Sequence, residues 1–240
     1  MTPPAAQNVT DRFRFLVEAA AWLYRPQGLW VRLQVRDKLL RDPFYRGLLA
    51  TGRLPTEGVA IHFGCGRGVL LALWARALAL GMIGGGKRGS ATRLMGIEIN
   101  PVGAESARLA LAGEAEIITG DLRSETLPLC RVAILQDVLL HLECKEQDRL
   151  LQRIASNLEV GGFIILREPD ASAFGHRAIA RLPGKLFGMF YGDRGKPLHP
   201  RGGEEWKSLL QSFGLHVENT PTDNGKWFAK TLLLARKNIA

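Results

Sequence analysis

Three glycines at alternate positions, Gly64, Gly66 and Gly68, stand directly after the apolar run Val59-Ala60-Ile61-His62-Phe63. Glycine has no Cβ, so a ligand can approach its backbone closely, and the N–H groups that open a helix attract negative charge. Glu98 ends the next apolar run. Nucleoside-binding sheets use an acid there to accept hydrogen bonds from both hydroxyls of a ribose. Asp121 follows Gly120 after a third run, 115–119. In that place a carboxylate could accept from an exocyclic amine such as that of adenine, or simply close a turn. Glycine spacing alone also marks ordinary tight turns. The order of glycines, then Glu98, then Asp121 is what points to a nucleoside-containing ligand.

These residues need a rigid frame, and the hydrophobic pattern supplies one. The glycines join a strand to a helix over 69–80, and a second strand over 93–99 leads through Pro101 into a helix over 101–112. After the third strand come a fourth over 131–135, a helix over 145–158 with Leu150, Leu151, Ile154, Ala155 and Leu158 on one face, and a fifth strand over 163–166, which Gly161-Gly162 turns into. A helix over 203–213 and an antiparallel pair over 215–220 and 227–235 close the chain. Alternating strands and helices predict an α/β doubly wound sheet, seven-stranded and mostly parallel, with helices on both faces and the last strand antiparallel. Its ligands belong outside the carboxyl ends of the strands. An N-terminal helical extension, 1–54, precedes this domain of residues 55–240. It reads as two helices, 10–24 and 27–50, separated by Arg25-Pro26.

Composition narrows the class. At 240 residues, 46% hydrophobic and 23% charged, the chain buries a full core. The opening residues lack signal-peptide architecture and no apolar run reaches the length of a membrane span, so a cytoplasmic location is expected. Cys65, Cys130 and Cys144 are odd in number and form no Cys-x-x-Cys pair, which argues against a disulfide framework and against zinc. Residues 81–88 match the start of a phosphate-binding loop, but Arg88 stands where a magnesium-binding hydroxyl is needed, and the stretch follows a helix rather than a strand. It reads as a connection. The net charge of +9 suggests an acidic partner or surface.

Five stretches together resemble the class I S-adenosylmethionine-dependent methyltransferases: His62-Phe63-Gly64-Cys65-Gly66-Arg67-Gly68, Gly96-Ile97-Glu98, Gly120-Asp121-Leu122, Asp137-Val138-Leu139, and Leu158 to Phe163 with its Gly161-Gly162 pair. The resemblance covers about residues 55 to 170. It implies S-adenosyl-L-methionine as cofactor. His62, Phe63, Gly64, Cys65, Gly66 and Gly68 would then surround the methionine end. Glu98, with Ile99 beside it, would hold the ribose, Asp121 and the Leu122 amide the adenine, and Gln136 and Asp137 the region of the sulfonium. His62 departs from the pattern, since the family usually carries an acid at that position.

The sulfonium is already an activated methyl donor, so side chains have mainly to align an in-line displacement and remove a proton. His141, just beyond the fourth strand, is the candidate base; it also suits a helix start that only packs, and His176 and His199 are alternatives. No Asp/Asn-Pro-Pro-Tyr/Phe motif follows the fourth strand, which argues against a nucleobase amine and points to a small-molecule or lipid- or polyketide-like acceptor. Residues 171–203 form a basic, aromatic insertion, expected to cover the acceptor. The N-terminal segment likewise interleaves Phe15, Trp22 and Trp30 with Arg12, Arg32 and Arg36. Both suit an acidic carrier protein or an anionic membrane surface, or are solvated surface. Two other classes stay open: a nucleic-acid methyltransferase, from the charge, and a non-catalytic adenosylmethionine-binding module, from His62.

Overall fold

The computed structural model describes residues 5–83, 91–174, 197–219 and 230–238. The chain divides into two compact units, Met1–Asp121 and Leu122–Ala240. The seven strands run in the order β3-β2-β1-β4-β5-β7-β6, the first three from the first unit and the last four from the second. This is the doubly wound, mostly parallel arrangement that the alternating pattern predicts.

In the first unit α1 (Ala5–Trp22) is followed by a 3-10 turn (Arg25–Gln27), α2 (Leu29–Arg41) and α3 (Pro43–Ala50). The continuous helix expected over 27–50 is therefore two helices. Asp42 breaks it: the residue is extended, its side chain accepts from the Phe44 amide at 3.1 Å, and Pro43 opens the new helix. β1 (Glu57–Phe63) pairs in parallel with β2 (Ala91–Glu98), which pairs in parallel with β3 (Ala115–Thr119). α4 (Val69–Ala79) buries nearly its whole circumference and has α1 packed on it, which is why its sequence is apolar all round. α5 (Pro101–Ala110) starts at Asn100, whose side chain accepts from the Val102 amide at 3.0 Å. Trp74, Tyr24, Tyr45 and Phe63 are the bulk of this core.

In the second unit β4 (Cys130–Gln136) leads through a 3-10 turn (Leu139–His141) into α6 (Cys144–Ser156), which is capped by a reciprocal Glu143–Glu146 box. β5 (Leu158–Pro169) is three times as long as the expected strand. Gly161-Gly162 does not turn into it but lies within it. β4 residues Cys130 and Val132 face Leu158 and Phe163, so the longer strand bulges there. A Cβ on Gly162 would come within 2.9 Å of the Arg131 and Glu159 carbonyl oxygens, so only glycine fits. After α7 (Ala171–Phe174) and α8 (Gly203–Ser212), β6 (Leu215–Asn219) and β7 (Lys230–Lys237) form the antiparallel pair, and β7 pairs with β5. Trp206, Leu150, Leu151 and Ile154 are buried here. The phosphate-loop-like glycines 84–86, most of the 171–203 insertion with His176, and the expected start of the last strand lie outside the described residues.

Candidate functional site

In the first unit β1 ends at Phe63 and the chain reverses at once. The Gly64 and Cys65 amides both donate to the Ile97 carbonyl, at 2.8 and 3.1 Å, which ties the loop to the end of β2. Gly66 and Gly68 take left-handed φ values of 56° and 76°, which cost a residue with a Cβ roughly 1–2 kcal/mol each. Their surroundings differ. A Cβ on Gly68 would lie 2.8 Å from Leu111 Cδ1 and 3.0 Å from Ala107 Cβ, so this glycine lets α5 close onto the loop. A Cβ on Gly66 would meet nothing within 4 Å, so the space beside that residue is open.

Glu98 faces the loop. One carboxylate oxygen accepts the Gly66 amide at 2.7 Å and the other accepts the Asn100 amide at 2.8 Å. A carboxylate offers about four acceptor positions, so positions remain after these two bonds, and the side chain is only half-buried. The Gly120 amide donates to the Glu98 backbone carbonyl at 3.1 Å, bringing the half-buried Asp121 to the same edge. Gly66, Glu98 and Asp121, read separately from the sequence, thus converge at the carboxyl ends of β1, β2 and β3. Ile99, beside them, is exposed.

Three neighbours of the loop are interior. Phe63 is fully buried, so only its backbone is available to a ligand. The buried Cys65 thiol is pushed up to about 12 by desolvation and then by the Glu98 charge, which keeps it protonated. His62 is 4% exposed, and neither ring nitrogen has a hydrogen-bond partner. Burial, and then the Lys38 charge, push its pKa down to about 3, so the ring is neutral at physiological pH. Sequence patterns gave no sign of Tyr24. Its hydroxyl, wholly buried, donates to the Arg67 carbonyl at 2.6 Å and anchors the loop from 43 positions away. Desolvation holds that phenol well above its ordinary pKa.

In the second unit the candidate positions cluster at the end of β4. Gln136, its last residue, is buried. Asp137 has a φ of 55°, the one positive value for a non-glycine among the described residues, and its amide donates to the Arg167 carbonyl at 2.9 Å. Both its carboxylate oxygens accept from Lys230 Nζ at 2.7 Å, and the Arg167 guanidinium stands 3.6 Å away. Asp137 is therefore a partner of two cations, Lys230 and Arg167.

Glu168, at the end of β5, is 1% exposed and accepts the amides of Val138, Leu139 and Leu140 at 2.9, 2.8 and 3.4 Å. Burial and the Asp137 charge raise its pKa to about 8 against the pull of those amides. This carboxylate shapes the turn that carries His141, which is half-buried and at the turn's last position. The buried Gln147 Nε2 donates to the carbonyls of Leu139, Leu142 and His199, and the His199 amide donates to the Leu140 carbonyl at 2.8 Å. His199 thus joins the turn through its backbone. Leu122 is buried, and its carbonyl accepts from Arg153. Glu168 and Lys230 lie far from Asp137 in sequence, and no local motif reveals that they meet it.

No protein-family model matches the chain, and no curated protein matches its sequence. Solved structures do match. Human N-acetylserotonin methyltransferase in complex with SAM is 18% identical with a TM-score of 0.57, over 87% of this chain and 55% of that one, so the chain spans about half that enzyme's length. The magnesium protoporphyrin IX methyltransferase of Synechocystis PCC 6803 with bound SAH is 18% identical with a TM-score of 0.57, over 88% of this chain and 89% of that one. A putative methyltransferase in complex with the Haloferax volcanii Trm112 activator is 14% identical with a TM-score of 0.59, over 86% and 94%. With the strand order and the glycine loop, these likenesses establish that the chain has the fold of the class I S-adenosylmethionine-dependent methyltransferases.

Proposed function

We propose that the chain is an S-adenosylmethionine-dependent methyltransferase acting on a small-molecule or lipid- or polyketide-like acceptor. The observation that carries this reading is Glu98, whose carboxylate holds the Gly66 amide at 2.7 Å and keeps acceptor positions for a ribose. The open space beside Gly66 fits a ligand pressed against the backbone. The glycine loop, with the unsatisfied ring of His62 next to it, takes the methionine end. Asp121 and the adjoining Leu122 amide take the adenine. The neutral imidazole of His62 serves as acceptor for an ammonium in place of the usual acid.

The bound cofactor supplies an activated methyl group. The chain's own residues hold the donor rigidly and accept a proton from the acceptor. His141 is the base in this reading, because Glu168 and Gln147 hold its turn in one conformation. Gln136, the last residue of β4, is assigned to the cofactor in the same reading, while Asp137, held by Lys230, supports the turn. The chain has Gln136-Asp137-Val138-Leu139 at the end of β4 rather than a motif for nucleobase amines, which supports the choice of acceptor.

Incubation with methyl-tritiated adenosylmethionine and a cell extract, followed by separation into organic and RNA fractions, tests the reading. Label is expected in the organic or small-molecule fraction. Label confined to RNA overturns the acceptor class, and cofactor binding without transfer to any fraction overturns catalysis.

A further inference from the structure

α2 carries two separate apolar stripes about a third of a turn apart, and only one of them is covered. Val35 and Leu39 are buried against the first unit. At 3.6 residues per turn Leu29, Leu33 and Leu40 line up along the other stripe, with Trp30 on its margin. All four are exposed, Trp30 by 79% and Leu29 by 65%. Phe15 and Trp22, one heptad apart on α1, are exposed as well. Burying this much apolar surface is worth more than leaving it wet, so a stripe of this kind marks an interaction surface.

Its borders identify the partner. Arg32 and Arg36 flank the stripe on one side, where Glu18 of α1 pairs with both, and Arg41 flanks it on the other. The Arg25 and Arg32 guanidiniums lie 5.2 and 4.6 Å from the Trp22 ring centroid, which places positive charge at the level of the aromatic side chain. The acids beside the stripe are both paired, Asp37 with Arg41 at 2.6 Å and Glu18 with Arg36, so the surplus of cations over acids on the whole segment sets its sign. Between residues 5 and 50 there are eight Lys and Arg against four Asp and Glu. An apolar line edged with arginine and carrying tryptophan is complementary to a planar anionic surface with an apolar interior. No helix among the described residues is long and apolar enough to cross a membrane. We infer that α2, with the adjoining end of α1, docks the protein reversibly onto an anionic lipid surface, laying Leu29, Trp30, Leu33 and Leu40 among the acyl chains. The inference stands on the first unit alone and does not depend on the reaction.

Flotation of the full chain with phosphatidylglycerol-containing and with pure phosphatidylcholine vesicles tests it. The protein is expected to float with the anionic vesicles, to remain below with the neutral ones, and to be released as salt is raised. Trp30→Gln with Leu33→Gln should lower the partition coefficient by about tenfold or more. Arg36→Gln with Arg41→Gln should lower it about thirtyfold. Adenosylmethionine affinity should not move in either double variant, and the melting temperature should not move in Trp30→Gln with Leu33→Gln, because these side chains are outside the core and away from the glycine loop; Arg36→Gln removes a pair with Glu18 and should lower its variant's melting temperature slightly. The inference is overturned if the protein ignores anionic vesicles or floats equally with neutral ones. It is equally overturned if both double variants bind like the parent, if the surface instead captures an acidic carrier protein, or if it forms a dimer that Trp30→Gln with Leu33→Gln dissociates.

Discussion

Replacing Glu98 with alanine removes two bonds of known geometry and, on the proposed function, a third to the ligand. The carboxylate holds the Gly66 amide at 2.7 Å and the Asn100 amide at 2.8 Å, each a hydrogen bond to a charged acceptor. Losing a bond of that kind costs about 1.5–3 kcal/mol, so adenosylmethionine affinity should fall roughly ten- to 150-fold. Part of that loss would come from a slackened loop rather than from the ribose, and a ligand cycle separates the two. Adenosylhomocysteine and its 2′,3′-dideoxy analogue, titrated calorimetrically into parent and variant, give the coupling between Glu98 and the hydroxyls. In the parent the dideoxy analogue should bind at least tenfold more weakly, and in Glu98→Ala the two ligands should bind nearly alike. If both proteins discriminate equally, Glu98 shapes the loop and does not touch the ribose. An unchanged affinity in a folded variant refutes the reasoning entirely.

Gly68→Ala combines left-handed strain with a Cβ 2.8 Å from Leu111, so thermal unfolding should show a loss of roughly 2–4 kcal/mol, whereas Gly66→Ala, with nothing within 4 Å, should lose only about 1–2 kcal/mol and weaken ligand binding more than stability. Tyr24→Phe leaves the Arg67 carbonyl without its buried donor and should lower stability by about 1–3 kcal/mol in denaturant melts, with little effect if water takes the place of the phenol. Glu168, raised to about 8 from 4.5, keeps its proton in the folded state where the unfolded chain has lost it, so its contribution is full below about pH 4.5 and declines as the pH climbs towards 8. Melts across that window should show this slope in the parent and a flatter one in Glu168→Gln; an identical slope in both assigns the pH dependence to other groups.

Much of the frame was legible because its signals are local. The glycine loop, the capped start of α5 at Asn100-Pro101, and the face of α6 carrying Leu150, Leu151 and Ile154 each depend on residues within a turn or two. Asp42-Pro43 was also local, an N-cap followed by a first-turn proline, but the helical pattern on either side masked it. β5 is longer than its sequence suggests for a different reason. Gly161-Gly162 has the composition of a turn, and only pairing with β4 makes it a bulge inside a strand. The clamp around β4 was illegible in principle: Asp137 meets Lys230 93 positions away, and Glu168 meets Leu139 across 29. At the glycine loop, types and spacing placed Gly66, Glu98 and Asp121 together. They could not show that Glu98 already spends two acceptor positions on backbone amides, or that Tyr24 anchors the loop from behind.

Calorimetric titration of the purified full chain with S-adenosylmethionine, S-adenosylhomocysteine and NAD in parallel tests the central claim most directly. Saturable binding of both sulfur nucleosides at one site per chain, with NAD weak or silent, is the predicted result. Tight NAD binding with no response to either sulfur nucleoside would contradict it.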